Sequence, residues 1–107
     1  MEVVQYQVVL VNLDPTIGSE IRKTRPCVII SPDEMNAHLR TVVIAPMTTI
    51  SKPYPTRVLA RHNKVKRWVI LDQIRTIDRR RIVRVFDRLT AEEISKIKSV
   101  ILEAYVA

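Results

Sequence analysis

Glycine and cysteine each occur once in this chain of 107 residues, as Gly18 and Cys27. One cysteine excludes an internal disulfide, and its place in the apolar run Cys27-Val28-Ile29-Ile30 predicts a small core residue. One glycine excludes a glycine-rich loop that cradles phosphates. The histidines, His38 and His62, are not at metal-ligand spacing, and Asp14, Asp72 and Asp78 are scattered without forming an acidic pair. No metal site, no Cys–His nucleophile and no cofactor is therefore predicted. No apolar run reaches the length of a membrane span. The first residues carry Glu2 and Gln5 and no basic leader, so a secretory signal is not expected and a cytoplasmic location is the default expectation.

What is present is positive charge. Lys and Arg number 18 against 11 acids, for a net charge of +7 and a pI near 10.1. That balance suits a polyanionic partner, a nucleic acid or an acidic protein, with plain solubility as the competing use of charge. The length predicts one domain over residues 1–107.

Residues 3–12 are rich in β-branched types and predict a strand. A long connection follows over residues 14–26, and then a second strand over 27–31. Ser31-Pro32-Asp33-Glu34 predicts a short helix with Ser31 as its hydroxyl cap. A third strand over 40–45 is expected to end at Pro46. The exit over 47–52 is rich in hydroxyls, and a fourth strand is predicted over 56–60. A basic hairpin tip is expected around His62-Asn63-Lys64, a fifth strand over 68–74 and a short strand over 82–86. Thr90-Ala91-Glu92-Glu93 is a capping box opening an amphipathic helix with Ile94, Ile97, Ile101 and Ala104 on one stripe. Short strands with one terminal helix predict a mainly β (α+β) domain, a small barrel whose closure manages its edges.

The connection over residues 14–26 is longer than a hairpin needs and joins Gly18, Ser19 and Glu20 to three cations, Arg22, Lys23 and Arg25. Pro26 holds Arg25 extended, which gives a long side chain a fixed origin. With metal and cysteine chemistry set aside, arginine and hydroxyls remain, and these suit phosphodiester cleavage by an RNA 2′-hydroxyl. Arginine matches phosphate oxygens but is too basic to act as a general base; a carboxylate such as Glu20 could fix the guanidinium or take the proton. The competing readings are a solvated Arg25, strand-end capping by Thr48-Thr49, and a solvated face at Arg79-Arg80-Arg81.

Four segments in order, Leu13-Asp14-Pro15-Thr16-x-Gly18-Ser19-Glu20, Arg25-Pro26, Pro46-x-Thr48-Thr49 and Asp72-Gln73-x-Arg75-Thr76-Ile77-Asp78, resemble the MazF/PemK toxins of bacterial toxin–antitoxin pairs. The resemblance spans nearly the whole chain. It implies an SH3-like barrel of the CcdB/MazF/Kid type and a homodimer. It further implies a sequence-specific, metal-independent endoribonuclease that cuts single-stranded mRNA to 2′,3′-cyclic phosphate and 5′-hydroxyl ends. Carried onto this sequence, it implies Arg25 and Thr48 as the catalytic pair, with Glu20 beside them. It implies Gly18, Ser19, Thr49, Ser51, Tyr54, Asp72 and Gln73 as RNA-binding residues. The implied partners are mRNA and an acidic antitoxin, with DNA contacted only through the antitoxin complex and no membrane. Tyr6-Gln7 stands where members usually have Gly-Asp. Ser19 and Ile70 stand where the Kid/PemK branch has His and Arg, which favours the MazF branch. A gyrase poison of the CcdB type and an RNA-binding module without cleavage are the alternatives.

Overall fold

The computed structural model describes residues 2–106. Among the described residues, seven strands, two α-helices and three short helical turns are formed. In chain order the strands are β1 (Gln7–Asn12), β2 (Thr24–Ile29), β3 (Thr41–Thr48), β4 (Arg57–His62), β5 (Val65–Ile70), β6 (Arg75–Asp78) and β7 (Ile82–Arg88). Helix α1 (Asp33–His38) lies between β2 and β3, and α2 (Ala91–Ile101) closes the chain ahead of a π-type turn, Leu102–Val106. All the ladders are antiparallel, in the order β4-β5-β3-β2-β1-β7, and β6 pairs with the first half of β3.

The sheet curls as the expected SH3-like half-barrel with its C-terminal helix. Its end strands β4 and β7 meet through side chains, with the His62 and Phe86 rings 4.5 Å apart edge to face. Helix α2 binds the β4 edge, where Glu93 accepts the Arg61 N–H at 2.7 Å.

Alternation along β1, β2 and β3 feeds two cores, one on each face. Val8, Val28, Ala45 and Met47 join Val58, Val69, Leu71 and the α2 residues Ile94 and Ile97. Val9, Val11, Cys27, Ile29 and Ile44 join Leu13, Ile77 and Ile82 on the other face. Each fully buried Val, Leu or Ile contributes roughly 1.5–3 kcal/mol of transfer free energy. Cys27 is fully buried as expected, and burial pushes its thiol up to about 12.

The capping box forms: Thr90 Oγ1 accepts from the Glu93 N–H at 3.2 Å, and Glu93 accepts from the Thr90 N–H at 3.0 Å. Ile94 and Ile97 of the predicted stripe are buried, Ile101 is half-buried and Ala104 is exposed in the terminal turn. The β4–β5 hairpin turns at Asn63 and Lys64, both at positive φ (50° and 65°), without the glycine usual there.

Three expectations about elements are corrected. Ser31 does not cap α1, because Pro32 holds the N-cap position. Instead Ser31 Oγ donates to Asn36 Oδ1 at 2.6 Å and accepts from the Val43 N–H, which ties the helix to β3. Pro46 does not end β3. The strand changes partner there, from β2 and β6 to β5, so a missing N–H is tolerated. The predicted strand over 68–74 is an earlier strand, a 3-10 turn (Leu71–Gln73) and then β6. Leu71 turns inward, fully buried, with its N–H on the Thr56 carbonyl at 3.1 Å.

Candidate active site at the open end of the β2–β3 ladder

Strands β2 and β3 pair from Ile29↔Ile44 to Cys27↔Pro46, and there the ladder stops. Pro26 and Pro46, which have no N–H to offer, stand at that end. Beyond it β2 stays with β1, where Arg25 pairs with Val11, while β3 crosses to β5, where Thr48 pairs with Trp68. Arg25 and Thr48 are each two residues past the Cys27↔Pro46 pair, so the pleat puts both on the face of that pair, at the mouth where the strands part. Arg25 is half-buried, and its Nε donates to the Arg22 carbonyl at 3.3 Å. Thr48 Oγ1 accepts the Ile50 N–H at 3.3 Å and so turns the chain out of the strand.

The loop between β1 and β2 is closed at its neck. The Leu13 N–H donates to the Lys23 carbonyl at 3.0 Å, and the Lys23 N–H to Asp14 Oδ1 at 2.9 Å. Arg81 Nη1 adds bonds to the Asn12 and Asp14 carbonyls at 3.2 and 2.5 Å. Gly18 sits at φ +60° with open space where a Cβ would point, so the backbone conformation is what calls for glycine. Ser19 is exposed. Glu20 turns back on its own loop, where its Oε1 accepts the Ile17 N–H at 2.9 Å. The ion pairs formed among the described residues are Arg57–Asp72, Arg80–Asp78 and Lys96–Glu92, so Glu20 does not fix the Arg25 guanidinium as the sequence allowed.

A cleft of about 250 Å³ lies under the loop, lined by Leu13, Glu20, Pro46, Asp72, Gln73 and Arg75 among others. It brings three of the predicted residues together, Glu20, Asp72 and Gln73. Gln73 Oε1 accepts the Ile21 N–H at 3.0 Å, which links the loop to the 3-10 turn across 52 positions of sequence. Arg75, unmarked as a site residue in the sequence, reaches the Leu13 carbonyl at 3.2 Å from below.

A second cluster gathers Ser51, Tyr54 and Asp72 around Arg57. The Arg57 Nε and Nη2 donate to Asp72 Oδ1 and Oδ2 at 3.1 and 3.2 Å, and Nη1 donates to Ser51 Oγ at 2.7 Å. The guanidinium lies 4.6 Å from the Tyr54 ring centroid. Thr56 Oγ1 also donates to Asp72, at 2.9 Å. The hydrogen bond from Arg57 holds the Asp72 carboxyl below the usual carboxylate range, and burial opposes it. Thr49 is exposed at the rim. Tyr105 Oη donates to the Leu71 carbonyl at 2.5 Å, so the C-terminal turn braces the turn that carries Asp72 and Gln73.

Arg57 was not picked out by sequence reasoning. It lies in a basic run, and only the pairing Arg57↔Ile70 brings it beside residue 72. In the Arg79-Arg80-Arg81 cluster, Arg79 and Arg81 are bonded to the protein and half-buried, while Arg80 is solvated. Arg79 Nη2 bonds the Asn36 and Leu39 carbonyls, Arg80 pairs with Asp78, and Arg81 holds the loop neck.

Residues 4–105 match the model of the PemK-like, MazF-like toxin of type II toxin–antitoxin systems. The chain is 34% identical over 100 residues to the endoribonuclease MazF of Staphylococcus saprophyticus, covering 88% of this chain and 83% of that protein. Its fold is similar to the crystal structure of MazF from Deinococcus radiodurans, with a TM-score of 0.85, 23% identity and 96% of each chain covered. It is also similar to a mycobacterial endoribonuclease solved with its cognate antitoxin, with a TM-score of 0.80, 22% identity, and 94% and 92% of the two chains covered.

Proposed function

This chain belongs to the PemK-like, MazF-like toxin family, and from that premise we propose that it is a sequence-specific endoribonuclease acting on single-stranded mRNA. The observation that carries the proposal is the shared offset of Arg25 and Thr48 from the last β2–β3 pair, at an open, basic mouth. A scissile phosphate seated there meets a permanent cation from one strand and a hydroxyl from the other.

In this reading the 2′-oxygen attacks its own 3′-phosphorus as the bond to the 5′-oxygen breaks. The 2′-hydroxyl gives its proton to Glu20, and solvent water protonates the leaving 5′-oxygen. Cyclic phosphate and 5′-hydroxyl ends result. Arg25 neutralises the charge that builds on the non-bridging oxygens, and Thr48 donates a hydrogen bond to one of them. Gly18 and Ser19 line the groove. Thr49, Ser51, Tyr54, Asp72 and Gln73 hold the flanking bases, with Tyr54 as a stacking plane. Glu20 would first have to leave its bond to Ile17.

The net charge of +7 supports two anionic partners in turn, the RNA and an acidic antitoxin that covers the same surface. A homodimer completes the proposal.

The test is incubation of purified protein with single-stranded RNA in EDTA, followed by analysis of the new ends. Cleavage with 5′-hydroxyl and 2′,3′-cyclic phosphate ends is expected. Folded Arg25→Ala and Thr48→Ala variants should each lose about a hundredfold or more in rate. Arg25→Ala cutting at the wild-type rate would refute the site. Footprints without new ends would indicate an RNA-binding module, and gyrase inhibition without cleavage a CcdB-type poison.

A further inference from the structure

Two stretches of the groove wall are held to each other through one side chain. The connection between β3 and β4 is exposed, with Ile50 86% and Tyr54 48% accessible, and carries Pro53 and Pro55. The 3-10 turn Leu71–Gln73 lies across from it. Arg57 spans the two: Asp72 on its Nε–Nη2 edge, Ser51 on Nη1, and Tyr54 against its face. Its side chain is only 18% exposed, although it stands on the edge strand of the sheet.

We propose that Arg57 is a positioning residue that sets the base preference of this protein, by holding Asp72, Ser51 and Tyr54 in one fixed arrangement. The proposal rests on the endoribonuclease reading above. Discrimination between bases requires donors and acceptors at fixed spacing beside a stacking plane. Asp72 is not a bare carboxylate here. Oδ1 accepts from both Thr56 and Arg57, and Oδ2 accepts from Arg57. Of the five N–H donors of a guanidinium, three are engaged, leaving one on each terminal nitrogen. The wall therefore offers acceptor and donor side by side. A carboxylate released from Arg57 would offer acceptors alone and would favour any base with an exocyclic amino group. Lysine cannot substitute, because an ammonium neither grips both carboxylate oxygens in a plane nor stacks flat on a ring.

The experiment selects binders from a random single-stranded pool of 2′-fluoro RNA, which lacks the attacking hydroxyl and so reports binding without cleavage. Wild type, Arg57→Ala, Arg57→Lys and Asp72→Asn are compared, with folding checked by circular dichroism. Wild type should enrich a defined word. Arg57→Ala should lose preference at one or more positions of that word and gain amino-bearing bases there, while the other positions persist. Arg57→Lys should behave like Arg57→Ala, and Asp72→Asn should relax the same positions. On cleavable RNA carrying the wild-type word, Arg57→Ala should raise KM about tenfold with kcat within twofold. The proposal is overturned if Arg57→Ala enriches the wild-type word, if Arg57→Lys restores it, or if wild type enriches no word. Should Arg57→Ala fail to fold, an unchanged word from folded Asp72→Asn overturns it equally. A wild-type protein that enriches a word yet leaves ordinary RNA uncut refutes the nuclease reading and leaves the role of Arg57 to be decided by the pool.

Discussion

Gln73 gives a sharp way to separate holding a loop from reading a base. Its Oε1 accepts the Ile21 N–H at 3.0 Å, whereas the loop is tied at its neck between Leu13, Asp14 and Lys23 and bonds to itself between Ile17 and Glu20. Gln73→Ala removes the link between the loop and the 3-10 turn. A hydrogen bond of this kind contributes about 0.5–1.5 kcal/mol net. One kcal/mol is a factor of about five in an equilibrium constant. Hydrogen exchange at the Ile21 amide should therefore quicken about two- to tenfold, while the amides of α2 keep their protection. The cleavage rate should fall by a similar factor if the held loop is the reactive form. Gln73→Glu keeps an oxygen that can accept from Ile21 but removes the amide donor. If Gln73 acts only as a tether, the Glu variant retains Ile21 protection and activity. If the amide nitrogen also reads a base, the Glu variant retains the protection and loses rate. Unchanged Ile21 exchange in Gln73→Ala would refute the tether.

Thr90→Ala removes half of the capping box and should cost about 1 kcal/mol, read as a lower midpoint in urea, with cleavage of folded protein unchanged. Cys27, buried and with its thiol pushed up to about 12, should resist alkylation in the native protein and react at once in denaturant; rapid native labelling would contradict its place in the core. Burial first and the Arg67 charge second lower the pKa of His62, so the folded state binds its proton less readily than the unfolded chain does. The resulting stability is in place above about pH 6.5 and is lost as pH falls from there through the lower folded value. Denaturant midpoints across that window should fall for wild type and stay flatter for His62→Gln.

The β-dominated fold and the terminal helix were legible because alternation and helical spacing are local patterns. Thr90 and Glu93, Ile94 and Ile97 lie within one or two turns of each other, so their geometry is set by the helix alone. The hairpin tip at Asn63-Lys64 is local in the same way. Where elements end was less legible. Pro46 looks like a terminator until β3 is seen to change partners at that residue, and the 3-10 turn at Leu71–Gln73 depends on a buried Leu71 whose N–H bonds the distant Thr56 carbonyl. Ser31, read as a cap, is drawn instead to Asn36 and to the Val43 N–H.

The sequence by itself determined the excess of positive charge and the over-long loop, and its four ordered segments pointed to the PemK-like, MazF-like family. Tertiary structure alone decided how those segments meet. Arg25 and Thr48 are 23 positions apart and take the same offset only from the Cys27↔Pro46 pair, beyond which the strands part. Arg57, Asp72, Ser51 and Tyr54 form one cluster only because β4 pairs with β5 at Arg57↔Ile70. A periodic pattern records which face a residue occupies, but not which strand lies beside it. That partner is chosen by the whole sheet, as both of its faces find cover.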